Sequence, residues 1–135
     1  MINQIEGKMT VAWNEEAKAI IDTWESYTIS LEDFSEAVLV KGLNHAKANG
    51  GIAWIVDSSN ATGAFSQEIQ QYIGDTVFPT FTENGIKYFI TITSTKSAIT
   101  RMTVSSYSAK TGPNGIQLLE VDSVDDAIEW LKQQG

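Results

Sequence analysis

Apolar and polar positions along the chain follow two different periods, which predict strands and helices in turn. Weak two-residue alternation around the polar segment 14–17 predicts a β-hairpin over residues 10–25, with Ile20 and Trp24 on one face of its second strand. The unbroken apolar run at 52–56 indicates a strand that is covered on both faces, as in the interior of a parallel sheet. Two further strands are predicted at 86–93 and 116–121.

Helical spacing of apolar side chains, with an initiating serine before each run, predicts four helices. Ser30 begins a helix over 31–48, which ends at the glycines that follow it. Ser66 begins a second helix that ends at 84–85, and Pro79 should kink or divide it because proline has no N–H. Ser94 begins a third helix that runs to about residue 106, and Ser123 begins the last one.

The element order β-β-α-β-α-β-α-β-α predicts an α/β fold. Strands that alternate with helices favour a mixed, mostly parallel sheet, and the N-terminal hairpin is expected to form an antiparallel edge. With 135 residues and no linker-like segment, residues 1–135 are expected to form a single domain.

Charge and composition narrow the classes of function. The formal net charge of −8, with no basic cluster, argues against nucleic-acid binding. The absence of cysteine and the single histidine, His45, argue against a zinc–thiolate or other transition-metal site, and no cofactor is expected. No signal peptide and no apolar run of spanning length is present, so we expect a cytoplasmic protein without membrane insertion.

The order and spacing of several segments resemble the SpoIIAA-like group of STAS-related domains. An aromatic hairpin leads into a capped helix at 24–34, and an Ile-Val-Asp strand end follows at 55–57. A proline-interrupted helix then ends at 84–87. The end of the last strand and the start of the last helix follow at 121–131. The resemblance covers about residues 8–133 and implies a regulatory or protein-interaction module without enzymatic activity. Its wider group is also compared with lipid-exchange domains of the CRAL-TRIO type, which implies the alternative of a small apolar or lipid-like ligand.

Anti-sigma-factor antagonists of the STAS type are switched by phosphorylation of a serine or threonine in an Asp-Ser-Ser/Thr-Gly segment. The local match here is Asp57-Ser58-Ser59-Asn60, which precedes the loop and has asparagine in the glycine position. We therefore expect no phosphoswitch. Ser58 and Ser59, and after them Ser66, are the candidates for the phosphoacceptor if one exists.

Ligands of open α/β sheets bind beyond the carboxyl ends of the strands. The side chains expected there share short polar groups, and Arg101 on the third helix could reach an anion; the candidates are Asp57, Ser58, Ser59, Asn60, Ser94, Thr95 and Arg101. The same residue types also cap helices and form turns, and that interpretation is favoured for the serines and aspartates.

The hairpin tryptophans suggest self-association. A hairpin at a sheet edge exposes unpaired backbone groups, and the helices can bury only one of Trp13 and Trp24 if these lie on different faces. The prediction is a homodimer to which Trp13 contributes more than Trp24. Three hypotheses of function remain: an interaction module, a binder of an apolar ligand in a cavity of about 300 Å³ or more, and an enzyme, for which no catalytic constellation is visible.

Overall fold

A six-stranded mixed sheet forms the centre of the fold. The computed structural model describes residues 2–92 and 116–134, and the predicted third helix lies outside them. The strands are β1 (Asn3–Ile5), β2 (Met9–Asn14), β3 (Ala19–Trp24), β4 (Ala53–Asp57), β5 (Tyr88–Ile92) and β6 (Gln117–Val121). They lie side by side in chain order, from β1 at one edge to β6 at the other.

The type of strand pairing changes once across this sheet. β1, β2 and β3 form an antiparallel meander, whereas β3 to β6 are parallel to one another. The predicted α/β class, the mixed and mostly parallel sheet, and the interior position of β4 are therefore confirmed. In β4, Ala53, Trp54, Ile55 and Val56 are all buried, as a strand covered on both faces requires.

The predicted hairpin is confirmed as β2 and β3, but its place at the edge of the sheet is wrong. The three residues of β1 pair with β2 in the register Asn3↔Val11 to Ile5↔Met9, so β1 forms the edge of the sheet and covers the first half of β2. A three-residue strand shows too little alternation to be detected in the sequence. β1 covers the edge of the hairpin at 9–11 and does not reach 12–14, and the homodimer stays a prediction.

Two long helices cover one face of the sheet and each contains a π-helical segment. The first, α1, spans 31–48 and consists of Leu31–Ser35, the π-helical Glu36–Gly42, and Leu43–Ala48. Ser30 Oγ accepts a hydrogen bond from the Asp33 N–H at 3.1 Å, which confirms the predicted N-cap. The predicted end is also confirmed, since Gly50 follows with a φ of 72°.

The second helix, α2, spans 67–83 and shows how the chain accommodates Pro79. Its segments are Gln67–Tyr72, the π-helical Ile73–Val77, and Phe78–Glu83. Pro79 lies in the first turn of the last segment, where a missing N–H is tolerated. The helix changes its winding before the proline and continues through it, so the predicted division does not occur, and the alternative of a kink stays a prediction.

Apolar side chains pack on both faces of the sheet. The helices α1 and α2 cover one face, against an aromatic layer that includes Trp24, Trp54 and Phe89. The last helix, α3 (Val124–Gln134), covers the opposite face through Ala127 and Leu131. Among residues 2–92 and 116–134, no helix is both long enough and apolar enough to cross a bilayer.

The predicted roles of the hairpin tryptophans need correction. Trp13 and Trp24 belong to the same apolar layer, because both side chains point to the face covered by α1 and α2. Trp24 is only 2% exposed, so it cannot form a dimer surface and belongs to the core. Trp13 is half-buried; its ring and that of His45 meet edge to face with centroids 5.4 Å apart, and its Nε1 donates to Glu15 at 2.7 Å.

Candidate functional site

An open cleft lies at the carboxyl ends of the parallel strands, where the sequence predicts ligand binding. Asp57 and Ser59 line it from the end of β4, Asp122 and Ser123 from the segment that joins β6 to the last helix, and Asp125 from the first turn of that helix. The cleft encloses about 250 Å³. Its position follows from the parallel arrangement, which brings the ends of separate strands to one edge of the sheet.

Local hydrogen bonds fix the side chains of this cleft. The Asp57 carboxylate accepts from the backbone N–H of Ser59 at 3.1 Å and from its Oγ at 2.6 Å, which closes a turn directly after β4. Ser123 Oγ accepts from the Asp126 N–H at 3.1 Å and caps α3. These short polar residues therefore form the turn and the cap, as the favoured interpretation predicts, and also line the cleft.

The other predicted site residues do not all join Asp57 and Ser59. Ser58 is 1% exposed and forms a buried hydrogen bond with Tyr27, whose ring stacks on Phe65 at 3.9 Å. The Ser58 hydroxyl therefore does not face the cleft and is not accessible to a kinase in the folded protein. This placement is contrary to its prediction as a ligand and as a phosphoacceptor candidate.

Of the remaining candidates, Asn60 is exposed and is not among the residues that line the cleft. Ser66 caps α2, because its Oγ accepts from the Ile69 N–H at 3.2 Å. The other three predicted ligands, Ser94, Thr95 and Arg101, lie outside the described residues.

The described lining of the cleft carries negative charge without a cationic side chain. Its three carboxylates come from Asp57, Asp122 and Asp125, and the only hydroxyls are those of Ser59 and Ser123. Within 2–92 and 116–134, no group of three or more histidine and acidic side chains is arranged to hold a metal ion. The described part of the lining is therefore suited to attract an ammonium or guanidinium group on another molecule.

A second polar feature lies inside the protein, beneath α1 and α2. Asp22, in the middle of β3, is 2% exposed. Its Oδ2 accepts a hydrogen bond from Trp54 Nε1 at 2.7 Å, whereas its Oδ1 has no hydrogen-bond partner among the described residues. Burial raises the pKa of Asp22 from the usual 3.8 to about 7, and the Trp54 hydrogen bond opposes that rise only in part.

Asp22 faces a small internal cavity, which we call the Asp22 pocket. The space open to the centre of a water-sized sphere is about 20 Å³. Asp22 is the one charged residue of its described lining, and the other ten are apolar: Trp24, Phe34, Val38, Trp54, Val56, Phe65, Ile73, Val77, Phe81 and Phe89. All of these are 5% exposed or less, so the pocket is lined by buried residues.

Sequence reasoning missed this pocket although one signal for it was present. The predicted alternation in β3 places Ile20 and Trp24 on one face, and Asp22 falls between them in the same two-residue register. A carboxyl at an inward position of a strand is unusual, because burial of an acid without a partner is costly. The pairing of β3 with β4, which brings Trp54 to Asp22, could not be read from local pattern.

Comparison of the chain with family models, curated proteins and solved structures finds no match. Function is therefore inferred from the cleft and the Asp22 pocket alone.

Proposed function

We propose that this domain is a non-enzymatic regulatory or protein-interaction module, similar in kind to SpoIIAA-like and STAS-related domains, and that the cleft binds a basic segment of a partner protein. The main observation in support is the acidic lining of the cleft, which combines side chains from the end of β4 and from the start of α3. Because these residues lie at the end of a strand and at the start of a helix, their backbone positions are set by the fold.

Two further observations support a role that depends on the surface. The Asp22 pocket, at about 20 Å³, is far below the roughly 300 Å³ of a typical small-molecule site. The overall charge of −8 also favours association with cationic partners through long-range attraction. A larger groove of about 590 Å³ lies among the described residues, but it is open and its lining includes Glu16, Lys18 and Lys132, so it does not offer a lipid-like ligand an enclosed apolar space.

Site-specific photo-crosslinking in the source organism tests this proposal. A benzophenone amino acid at Ser59 would lie in the cleft, whereas the same amino acid at Glu16 lies at the opposite end of the sheet and serves as the matched control. The expected result is a discrete protein adduct from position 59 that is absent from position 16. The adducted protein should present lysine or arginine residues at the cross-linked segment.

Charge dependence separates specific binding from chance capture. The Asp57→Asn/Asp125→Asn double variant removes two of the three carboxylates, and we expect it to lose most of the adduct at position 59 while retaining its circular dichroism spectrum. Equal adducts at positions 59 and 16, no adduct at either position, or an adduct that is unchanged in the double variant would each refute the proposal.

A further inference from the structure

The carboxyl group of Asp22 is an unusual feature of an otherwise apolar interior. One of its oxygens lies in the Asp22 pocket without a hydrogen-bond partner in the described part of the chain, although the residue is only 2% exposed. Buried polar atoms are almost always satisfied, and an orphaned one requires a physical explanation. A hydrophobic residue of similar size would pack at this position without that cost, so the carboxyl points to a ligand group that supplies the missing partner.

The walls of the Asp22 pocket indicate which ligand group this is. Six of the ten apolar lining residues are aromatic, and two ring pairs stack within it: Trp54 on Phe81 at 4.3 Å and Trp24 on Phe34 at 6.0 Å. Aromatic rings attract organic cations through their quadrupoles, and they do so more strongly when water is excluded. No described lining residue carries a positive charge that could neutralise Asp22.

The size of the Asp22 pocket restricts the ligand further. The centre of a water-sized sphere can move within about 20 Å³ of the pocket. If that volume is spherical, adding the radius of the water-sized sphere gives room for a group about 3 Å in radius. This is the size of a methylated ammonium group, and it excludes an acyl chain or a ring system. A water molecule fits by volume but is a poor occupant, since buried waters make two to four hydrogen bonds and the pocket offers one free oxygen among the described residues.

The structure also suggests where the Asp22 pocket opens. Phe65 is the only described lining residue that lies outside a helix or strand, in the loop that precedes α2. Both π-helical segments contribute to the lining, through Val38 in α1 and through Ile73 and Val77 in α2. π-helical turns inside α-helices often occur at functional sites.

From these observations we propose that the Asp22 pocket binds a small methylated ammonium group, with an N–H of the ligand donated to Asp22 Oδ1 and the methyl groups packed against the aromatic rings. Trp54 holds the other carboxylate oxygen and so orients Asp22 toward the ligand. This site is separate from the cleft, and it does not depend on the partner proposed for that surface.

Titration with trimethylammonium chloride at pH 8, followed by NMR through the indole N–H resonance of Trp54, tests the proposal. tert-Butanol provides a neutral probe of the same shape, and pivalate provides an anionic one. We expect a saturable shift with trimethylammonium, a dissociation constant below about 10 mM, and at least tenfold weaker binding of the two other probes.

Two variants test the roles of charge and space. Asp22→Asn keeps an acceptor for Trp54 but removes the negative charge, and we expect binding to weaken at least tenfold. Val38→Leu keeps the charge and adds a methylene group to the lining, which should also weaken binding, and it provides an independent test if Asp22→Asn does not fold. Asp75→Asn, at an exposed position of α2, should bind as the wild type does. No saturable shift, an equal response to tert-butanol, or unchanged binding in both pocket variants would overturn the proposal.

Discussion

Replacing Asp22 with asparagine should change how the stability of the fold depends on pH. The pKa of the Asp22 carboxyl is about 7 in the folded protein, against 3.8 without burial. Between these two values the folded protein holds a proton that the unfolded chain has released, so the free energy of unfolding falls as pH rises. The contribution of a protonated Asp22 is fully present below pH 3.8 and is lost by the time the pH has passed about 7.

The size of the effect follows from the shift in pKa. A rise of about three units corresponds to roughly 4 kcal/mol between the acid and alkaline limits, and about 2–3 kcal/mol of this falls between pH 5 and pH 8. The asparagine side chain of the variant resembles the neutral carboxylic acid at every pH and can still accept from Trp54. When the pH is raised from 5 to 8, the free energy of unfolding of Asp22→Asn should therefore rise by about 2–3 kcal/mol relative to that of the wild type.

Urea unfolding at a series of pH values, followed by tryptophan fluorescence, measures this difference. The control is Asp75→Asn, which removes a carboxyl at an exposed position of α2 that does not line the Asp22 pocket. The difference in the free energy of unfolding between Asp22→Asn and the wild type should be smallest near pH 4 and should level off above pH 8. A difference that is constant from pH 4 to pH 9 would refute the assignment of a shifted pKa to Asp22.

Four further substitutions test the packing around the two sites. Ser66→Ala should cost about 1 kcal/mol in thermal unfolding, because it removes the N-cap of α2; no loss would show that the cap is dispensable. Gly42→Ala should cost about 1–3 kcal/mol, since its Cβ would lie 2.7 Å from Trp54 Cη2, and a stabilised variant would contradict this packing. Ser58→Ala and Tyr27→Phe should each cost about 1–3 kcal/mol, and together less than their sum, because they share one buried hydrogen bond; full additivity would exclude that bond.

Much of the fold is predictable from local pattern, because the relevant signals lie within single elements. The apolar run of β4, the serine caps at Ser30, Ser66 and Ser123, and the glycine at 85 all act over a few residues. β1 could not be predicted, since three residues of mixed polarity become a strand only when β2 provides a partner.

The candidate sites were predictable only in part. The strand-end rule places Asp57 and Ser59 at the cleft correctly, but it cannot tell which neighbouring side chain turns inward, and Ser58 does so because Tyr27 provides a buried hydrogen-bond partner. The Asp22 pocket depends on contacts between β3, β4 and both long helices, which are distant in the sequence. The π-helical segments likewise depend on packing, and no residue type in 36–42 signals one.

Native mass spectrometry of the freshly purified protein tests most directly the central claim that this domain acts through its surface and does not carry a lipid-sized molecule. Since the described interior encloses only about 20 Å³, we expect the 14.8 kDa mass of the bare chain, with at most a small cationic adduct. A stoichiometric adduct of several hundred daltons, released only on denaturation, would contradict this account and make ligand transport the function of the fold.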